Sequence, residues 1–137
     1  RVIHLPQGRI ILDDCYNASP QSVAAALEVL AKTTCERKVA VLGDMGELGD
    51  LTEQAHYNMG ALAAMLGIDF LGAIGPKAVK IADGAAQSGG AVLHFSTKEE
   101  AVAELREQLE PETAMLIKAS HAMHFEQLVE QLRGDYD

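Results

Sequence analysis

The sequence predicts an α/β fold: a Rossmann-like three-layer sandwich of about six strands, mostly parallel, with one antiparallel strand at the N-terminus. Short apolar runs that suit buried strands alternate with segments of helical periodicity, the pattern of a parallel sheet covered on both faces. Glycine or serine follows several of these runs. The first two runs are separated only by Pro6-Gln7-Gly8, a turn short enough to join an antiparallel pair.

The first half of the chain supplies the antiparallel pair and the first crossover units. Ser19 before Pro20 predicts a helix start, because a hydroxyl can cap free backbone N–H groups and proline fits the first helical position. Gly67 suits the left-handed end of the second helix. The predicted strands are Val2 to Leu5, Arg9 to Leu12 and Val39 to Leu42, and the helices begin at Pro20 and run from about Thr52 to Leu66.

The second half repeats the alternation of strand and helix. Thr97 and Glu100 have the spacing of a capping box, in which each side chain satisfies the other residue's backbone N–H. The predicted strands are Phe70 to Ile74, Ala91 to Phe95 and Ala114 to Lys118; one helix ends near Gln87, one follows Thr97, and Phe125, Leu128, Val129 and Leu132 mark the last. With no repeat or linker, residues 1–137 are expected to form one domain.

Charge and hydropathy exclude several functions. The 137 residues include 20 Asp and Glu against 11 Lys and Arg, a net charge of −9, which disfavours nonspecific binding to nucleic acid phosphates. The acidic residues after Glu99 are expected to form a solvated surface. No apolar run approaches the roughly 20 residues that span a bilayer. We therefore expect a soluble cytoplasmic monomer that contacts neither membrane nor nucleic acid.

Cysteine and histidine give no metal signature. Cys15 and Cys35 are too few for a disulfide framework and lack the spacing of a metal knuckle, so reduced thiols are expected. His121 and His124 are three residues apart, without a third ligand nearby in sequence. No metal ligand is therefore predicted in this chain.

Polar residues cluster where the predicted strands end. Ligands of open α/β sheets bind beyond the carboxyl ends of the strands, so these segments are the candidate site. Asp13 and Asp14 alternate in direction, so only one is expected to point into the crevice, where it would bind ribose hydroxyls or a metal; alternatively it caps local backbone. The segments are Asp13 to Ser19, Gly43 to Gly49, Gly75 to Lys77, Ser96-Thr97 and Lys118 to His121.

The glycines at 43, 46 and 49 do not form a phosphate loop of known type. Neither GxxxxGK followed by Ser or Thr nor GxGxxG occurs in the chain. A turn that requires positive φ is at least as good an interpretation of these glycines. If the domain handles a nucleotide, another domain must hold the phosphates.

Four strand-end segments together resemble the Mur ligase family. Asp13 to Pro20, read DDCYNASP, is similar to the DDxYNANP signature that opens the family's C-terminal domain in one branch. Val41 to Gly49 is similar to VLGDMxELG, Glu53 and His56 fit an ExxH helix start, and Lys118 to His121 is similar to KGSR. The resemblance covers nearly the whole chain in order.

The resemblance implies one domain of a three-domain cytoplasmic enzyme of peptidoglycan synthesis. The branch it points to joins D-alanyl-D-alanine to UDP-N-acetylmuramoyl-tripeptide. ATP with Mg²⁺ activates the tripeptide carboxylate as an acyl phosphate, and the dipeptide amine displaces phosphate to give an amide and ADP. The central domain would carry most of the ATP and Mg²⁺ contacts, and the partners of this chain would be its own N-terminal and central domains. The isolated domain is expected to be inactive.

The resemblance also assigns roles to individual residues. Arg1 would contact the nucleotide phosphates or ribose, Asp14 the ribose hydroxyls, and Tyr16 and Asn17 the adenine and ribose. As candidate catalytic residues, Lys118 and Ser120 would face the cleft and the incoming dipeptide, where a lysine can stabilise the negative charge of acyl transfer. Three residues depart from the family pattern: Ser19 for Asn, Ala119 for Gly and His121 for Arg.

Two other functions stay open from the sequence. A phosphoacceptor receiver domain has a similar length, with paired Asp after its first strand and a Lys after its last, as Asp13, Asp14 and Lys118 would supply. A receiver also needs an Asp at the end of its third parallel strand, where this chain has Ile74-Gly75-Pro76. The second alternative is a non-catalytic interaction module of the same fold.

Overall fold

The computed structural model describes residues 1–137 and contains six strands and five α-helices. The strands are β1 (Val2–His4), β2 (Ile10–Asp14), β3 (Arg37–Gly43), β4 (Phe70–Ile74), β5 (Val92–Phe95) and β6 (Thr113–Lys118). The helices are α1 (Pro20–Lys32), α2 (Thr52–Met65), α3 (Val79–Gln87), α4 (Lys98–Gln108) and α5 (Phe125–Gly134). No helix is both long enough and apolar enough to cross a membrane.

The six strands form one sheet in the order β1-β2-β6-β3-β4-β5. β1 is antiparallel to β2, with Val2 opposite Leu12, and the other pairs are parallel. The predicted fold class is therefore confirmed. Because the last strand lies between β2 and β3, the order differs from the 2-1-3-4-5 order of flavodoxin-like folds, to which the receiver domain belongs.

Two apolar cores lie on opposite faces of the sheet. Along β3, Val39 and Val41 belong to the core formed with α4 and α5, whereas Ala40 and Leu42 belong to the core formed with α1, α2 and α3. This alternation follows from the two-residue period of a strand. The central strands are apolar on both faces because helices cover both.

The helix starts agree with the predictions in part. The Ser19 hydroxyl accepts the backbone N–H of Ser22 at 3.2 Å, and the Ser22 hydroxyl accepts that of Ser19 at 2.9 Å, so α1 has a reciprocal cap. At α4, Thr97 accepts the N–H of Glu100 at 3.3 Å as predicted. The Glu100 carboxylate, however, accepts the N–H of Ser96 at 3.2 Å, because the side chain reaches one residue beyond the predicted partner.

Helices α2 and α3 pack with their backbones in contact. A Cβ added to Gly60 would lie 1.8 Å from the Ile81 carbonyl oxygen, and one added to Gly84 would lie 2.0 Å from that of Tyr57. Only glycine fits at either position without separating the helices. This contact fixes the elements that follow β3 and β4.

Candidate functional site

A cleft of about 520 Å³ opens at the carboxyl ends of β2 and β6. α1 follows β2 on one face of the sheet and α5 follows β6 on the other, so the adjacent strands diverge into helices on opposite sides. Such a point is where open α/β sheets bind ligands. The cleft is lined by Arg1, Asp13, Asp14, Cys15, Tyr16, His121 and Glu126.

The two aspartates at the end of β2 bind different cations. Asp13 Oδ2 accepts a hydrogen bond from the Arg1 guanidinium at 3.0 Å, and Asp14 Oδ2 accepts one from Lys118 Nζ at 2.8 Å. Both residues line the cleft, but the Asp14 side chain is 50% exposed and that of Asp13 only 15%. Because the cleft extends from Arg1 beside β2 to His121 beyond β6, it borders both carboxylates.

Lys118 is the most buried charged residue of the site. Its side chain is only 3% exposed, and Nζ donates both to Asp14 Oδ2 and to the Asn17 carbonyl oxygen at 2.9 Å. The lysine thereby ties the end of β6 to the loop between β2 and α1. In this state its ammonium faces the aspartate, while half of the Asp14 side chain stays exposed to the cleft.

Ser120 and Asn17 lie next to the cleft without lining it. The backbone N–H of Ser120 donates to the Asp44 carbonyl oxygen at 3.1 Å. The Asn17 side-chain oxygen accepts the N–H of Ala18 at 2.9 Å. Of the six residues proposed for binding or catalysis, the structure therefore brings Arg1, Asp14 and Tyr16 to the cleft wall, whereas Asn17, Lys118 and Ser120 do not line it.

An aromatic and imidazole cluster forms one wall of the cleft. Tyr16 is 80% exposed, and its ring centroid lies 5.6 Å from that of His121. His121 in turn lies 5.8 Å from His124, whose φ of 53° is left-handed. The sequence drew attention to His121 but assigned no role to His124, since nothing local to it indicates this contact.

Glu126 carries a perturbed carboxyl group beside that cluster. Its own backbone N–H lowers the pKa of Glu126, and the hydrogen bond from His124 Nδ1, 3.1 Å from Oε1, adds to the effect. The lowered pKa keeps Glu126 ionised at neutral pH, at the α5 side of the cleft.

Cys15 is a buried thiol at the base of the cleft. Burial raises the pKa of Cys15 far above its usual value, and the neighbouring Asp13 carboxylate raises it further. Its sulfur lies 3.7 Å from the Ile117 carbonyl oxygen. A neutral thiol of this kind is a packing group rather than a nucleophile. Both cysteines are free, as predicted.

The glycines at 43, 46 and 49 do not share one conformational role. Only Gly49 has a positive φ, of 56°, while the other positive φ in this loop belongs to Glu47. Gly43 is needed for packing, since an added Cβ would lie 2.6 Å from the Ala119 Cβ. The turn with positive φ that the sequence favoured therefore occurs in this loop, but among the three glycines only Gly49 adopts it. Ala119, which stands where the family pattern has Gly, has no positive φ.

Asp44 and His56 are buried polar residues that the sequence identified only as members of motifs. Asp44 Oδ1 accepts the N–H of Ala78 at 2.8 Å, and the fully buried His56 accepts the N–H of Met45 at 2.9 Å. A histidine inside an otherwise apolar helix face was the available signal. Nothing in this chain groups three or more His, Cys, Asp or Glu side chains as a metal ion would need.

The fold and the cleft at its strand ends define an α/β domain with a candidate ligand site, and comparisons with known proteins identify its family. The domain family described as "Mur ligase, glutamate ligase domain" matches residues 1–121. The chain therefore belongs to the Mur ligase family, and the resemblance seen in its sequence is confirmed.

The similar proteins are ligases of one name. The chain is 37% identical to a UDP-N-acetylmuramoyl-tripeptide–D-alanyl-D-alanine ligase of Synechocystis, over 97% of this chain and 32% of that protein. It is 34% identical to the Bacillus subtilis ligase of the same name, over 96% of this chain and 29% of that protein. The chain thus spans about a third of the length of the curated relatives it matches.

Solved structures agree with these relatives. A crystal structure of MurF from Acinetobacter baumannii matches with a TM-score of 0.89 and 33% identity, covering 98% of this chain and 30% of that one. The MurF ligase of Thermotoga maritima, solved in complex with ADP, matches with a TM-score of 0.83 and 26% identity over 99% of this chain and 30% of that one.

Proposed function

We propose that this chain is the C-terminal domain of a three-domain, ATP-dependent ligase that adds D-alanyl-D-alanine to UDP-N-acetylmuramoyl-tripeptide. The observation that carries the proposal is the cleft at the ends of β2 and β6, whose wall includes the motif residues Asp14 and Tyr16. It occurs in a chain that aligns over 97% of its length with a ligase of that name. The activity requires the complete protein, and the domain alone is inactive.

The cleft suits the ribose and adenine of a nucleotide. Asp14 has a half-exposed side chain with one oxygen engaged by Lys118, so its other oxygen can accept hydrogen bonds from ribose hydroxyls. Tyr16, at 80% exposure, offers an aromatic face to adenine. Arg1 supplies a cation for phosphate or ribose, and Asn17 borders the same loop. This domain would close over a nucleotide whose phosphates are held elsewhere.

The central domain of the complete protein would make most of the contacts to ATP and Mg²⁺. Asp13 and Asp14 are already paired with Arg1 and Lys118, and no third ligand lies near them, so this chain does not fit a metal site of its own. The chain also lacks a Walker sequence. Its partners would be its own N-terminal and central domains, within a monomeric cytoplasmic enzyme.

Lys118 and Ser120 would act on the side of the incoming dipeptide. The reaction begins with transfer of a phosphoryl group from ATP to the tripeptide carboxylate, and the dipeptide amine then forms the amide as phosphate leaves. An ammonium held in a dry environment can stabilise the negative charge that develops in the acyl transfer. For Lys118 to act directly, it would have to turn from the Asp14 carboxylate toward the substrate.

A ligase assay of the complete protein tests the proposal. We expect phosphate release that requires ATP, UDP-N-acetylmuramoyl-tripeptide and D-alanyl-D-alanine together, and none from residues 1–137 alone. A reading frame without a P-loop domain before Arg1, or phosphate release indifferent to the dipeptide, would contradict it. A stable aspartyl phosphate formed with acetyl phosphate would support a receiver domain instead, although β4 ends at Ile74 without an acidic residue.

A further inference from the structure

Asp44, the residue after β3, binds the segments that follow both neighbouring strands. Its Oδ1 accepts the N–H of Ala78, the residue that precedes α3, at 2.8 Å. Its main-chain carbonyl accepts the N–H of Ser120, beyond β6, at 3.1 Å. Because β3 lies between β6 and β4 in the sheet, one residue at its end can reach both. Asp44 is 8% exposed, so water does not readily replace these partners.

His56 fixes the residue that follows Asp44. Its Nε2 accepts the N–H of Met45 at 2.9 Å, and its Nδ1 lies 2.7 Å from the Thr52 carbonyl oxygen. A backbone N–H can only donate and a carbonyl can only accept, so the ring is neutral with its proton on Nδ1. The ring is completely buried. Through His56, α2 thus fixes the main chain of the loop after β3 at Met45.

Two glycines allow this arrangement and leave it little freedom. Gly75 has a φ of 117°, and a Cβ there would lie 2.5 Å from Asp44 Oδ1. Gly43 brings the end of β3 against Ala119, in the same segment as Ser120. The loops after β3, β4 and β6 are therefore packed around the Asp44 carboxylate and main chain.

We propose that Asp44 and His56 are positioning residues for the segment Lys118 to His121. Neither lines the cleft. They act through the main chain of residues 44 and 45, which holds Ser120 and, through it, the neighbouring His121 at the cleft wall. The inference rests on the proposed function in one respect, namely that this segment faces the nucleotide and the dipeptide.

Amide hydrogen exchange of this chain tests the positioning itself. If each side chain protected only its direct partner, Asp44→Ala would speed exchange of the Ala78 amide alone, and His56→Leu would speed exchange of the Met45 amide alone. The proposal instead expects both substitutions, made on different elements, to speed exchange of the Ser120 amide by about tenfold. Asp44→Asn keeps an oxygen acceptor for Ala78, and His56→Gln supplies an amide oxygen in place of the imidazole Nε2 that Met45 donates to, so both should restore much of the protection at Ser120.

Asp69→Ala is the matched control. Asp69 Oδ2 accepts the backbone N–H of Lys38 at 2.8 Å, near the opposite end of β3, so its loss removes a similar bond far from the cleft. It should leave Ser120 exchange unchanged. Unchanged exchange at Ser120 in Asp44→Ala and His56→Leu, or equal acceleration in Asp69→Ala, would overturn the proposal.

The complete enzyme supplies a second measurement. Asp44→Ala should lower kcat/KM for D-alanyl-D-alanine by about tenfold, with recovery in Asp44→Asn and no change in Asp69→Ala. Unaltered kcat/KM in Asp44→Ala would overturn the positioning role. If the proposed function is wrong, the unsubstituted protein lacks ligase activity altogether, whereas the exchange result is unaffected, so the two failures are distinguishable.

Discussion

Lys118 places an almost fully buried ammonium 2.8 Å from the half-exposed carboxylate of Asp14. The two partners differ in their exposure to solvent. If Lys118 lost its partners, water could not replace them, because the side chain is buried. Asp14 is half-exposed and keeps one oxygen available to a ligand. Asp14 therefore serves the stability of the domain as well as the binding that we propose for it.

Replacement of Asp14 should separate these two roles. Asp14→Ala leaves a buried ammonium with only the Asn17 carbonyl, and we expect a loss of about 2 kcal/mol in the free energy of unfolding, moderated by the exposure of Asp14. Asp14→Asn keeps an oxygen acceptor for Lys118 and should cost about half as much. Urea denaturation measures both, and equal losses would show that an uncharged oxygen acceptor contributes nothing to holding the Lys118 ammonium.

Tyr16 should contribute to nucleotide affinity without contributing to stability. Its ring is exposed and contacts His121, so Tyr16→Ala should leave the unfolding free energy within about 0.5 kcal/mol of the parent. In the complete protein, we expect ADP to bind roughly tenfold more weakly, the effect of one lost aromatic stack. Tyr16→Phe preserves the face and should bind ADP normally by calorimetry; unchanged affinity in Tyr16→Ala would remove the ring from the site.

Gly84→Ala should strongly destabilise the domain. The new methyl would lie 2.0 Å from the Tyr57 carbonyl oxygen, so α2 and α3 would have to separate. We expect a loss of about 3 kcal/mol in thermal or urea unfolding. Gly134→Ala in α5 is the control, because no atom lies within 4 Å of its Cβ and alanine is the better helix former. A Gly84→Ala variant as stable as Gly134→Ala would disprove the backbone contact.

The two cysteines should differ in reactivity. Burial raises the pKa of Cys15, so at pH 8 its thiolate is essentially absent, while Cys35 is only partly buried. Mass spectrometry after iodoacetamide treatment of the folded chain should find Cys35 modified and Cys15 intact. Denaturation should make both react. Modification of Cys15 at the rate of Cys35 in the folded chain would mean that the base of the cleft is open.

His124→Ala should raise the pKa of Glu126 only partway toward its usual value. The largest cause of the lowering is the residue's own backbone N–H, which the substitution keeps, and the His124 hydrogen bond comes after it. A lowered carboxyl pKa adds stability at neutral pH that is lost as the pH falls through the native pKa. An NMR titration of the Glu126 carboxyl measures the change, and a pKa indifferent to His124→Ala would exclude the contact in solution.

The strands and most helix boundaries could be predicted because their signals are local. The apolar run Phe70 to Ile74 indicates a strand that is buried on both faces. Ser19 and Pro20 favour a helix start, because the serine caps free N–H groups and the proline fits the first helical position. The location of the cleft also followed, since polar residues at strand ends meet at one edge of a parallel sheet.

The contacts across the sheet could not be predicted. Lys118 meets Asp14 only because β6 lies beside β2, and the two residues are 104 positions apart in the chain. The backbone contact at Gly60 and Gly84 depends on the distance between α2 and α3, and local sequence patterns do not determine that distance. The predicted partner of the Glu100 carboxylate was wrong by one residue, because a flexible side chain can accept from the N–H of Ser96 as well as from that of Thr97.

The position of β6 also bears on how the molecule is made. A chain leaves the ribosome from its N-terminus, and β2 and β3 have no direct pairing with each other. The gap between them is filled only when residues 113–118 have emerged, so the central part of the sheet is the last to be joined. We therefore expect nascent chains that stop before β6 to lack cooperative structure and to be sensitive to protease, although five of the six strands are already present.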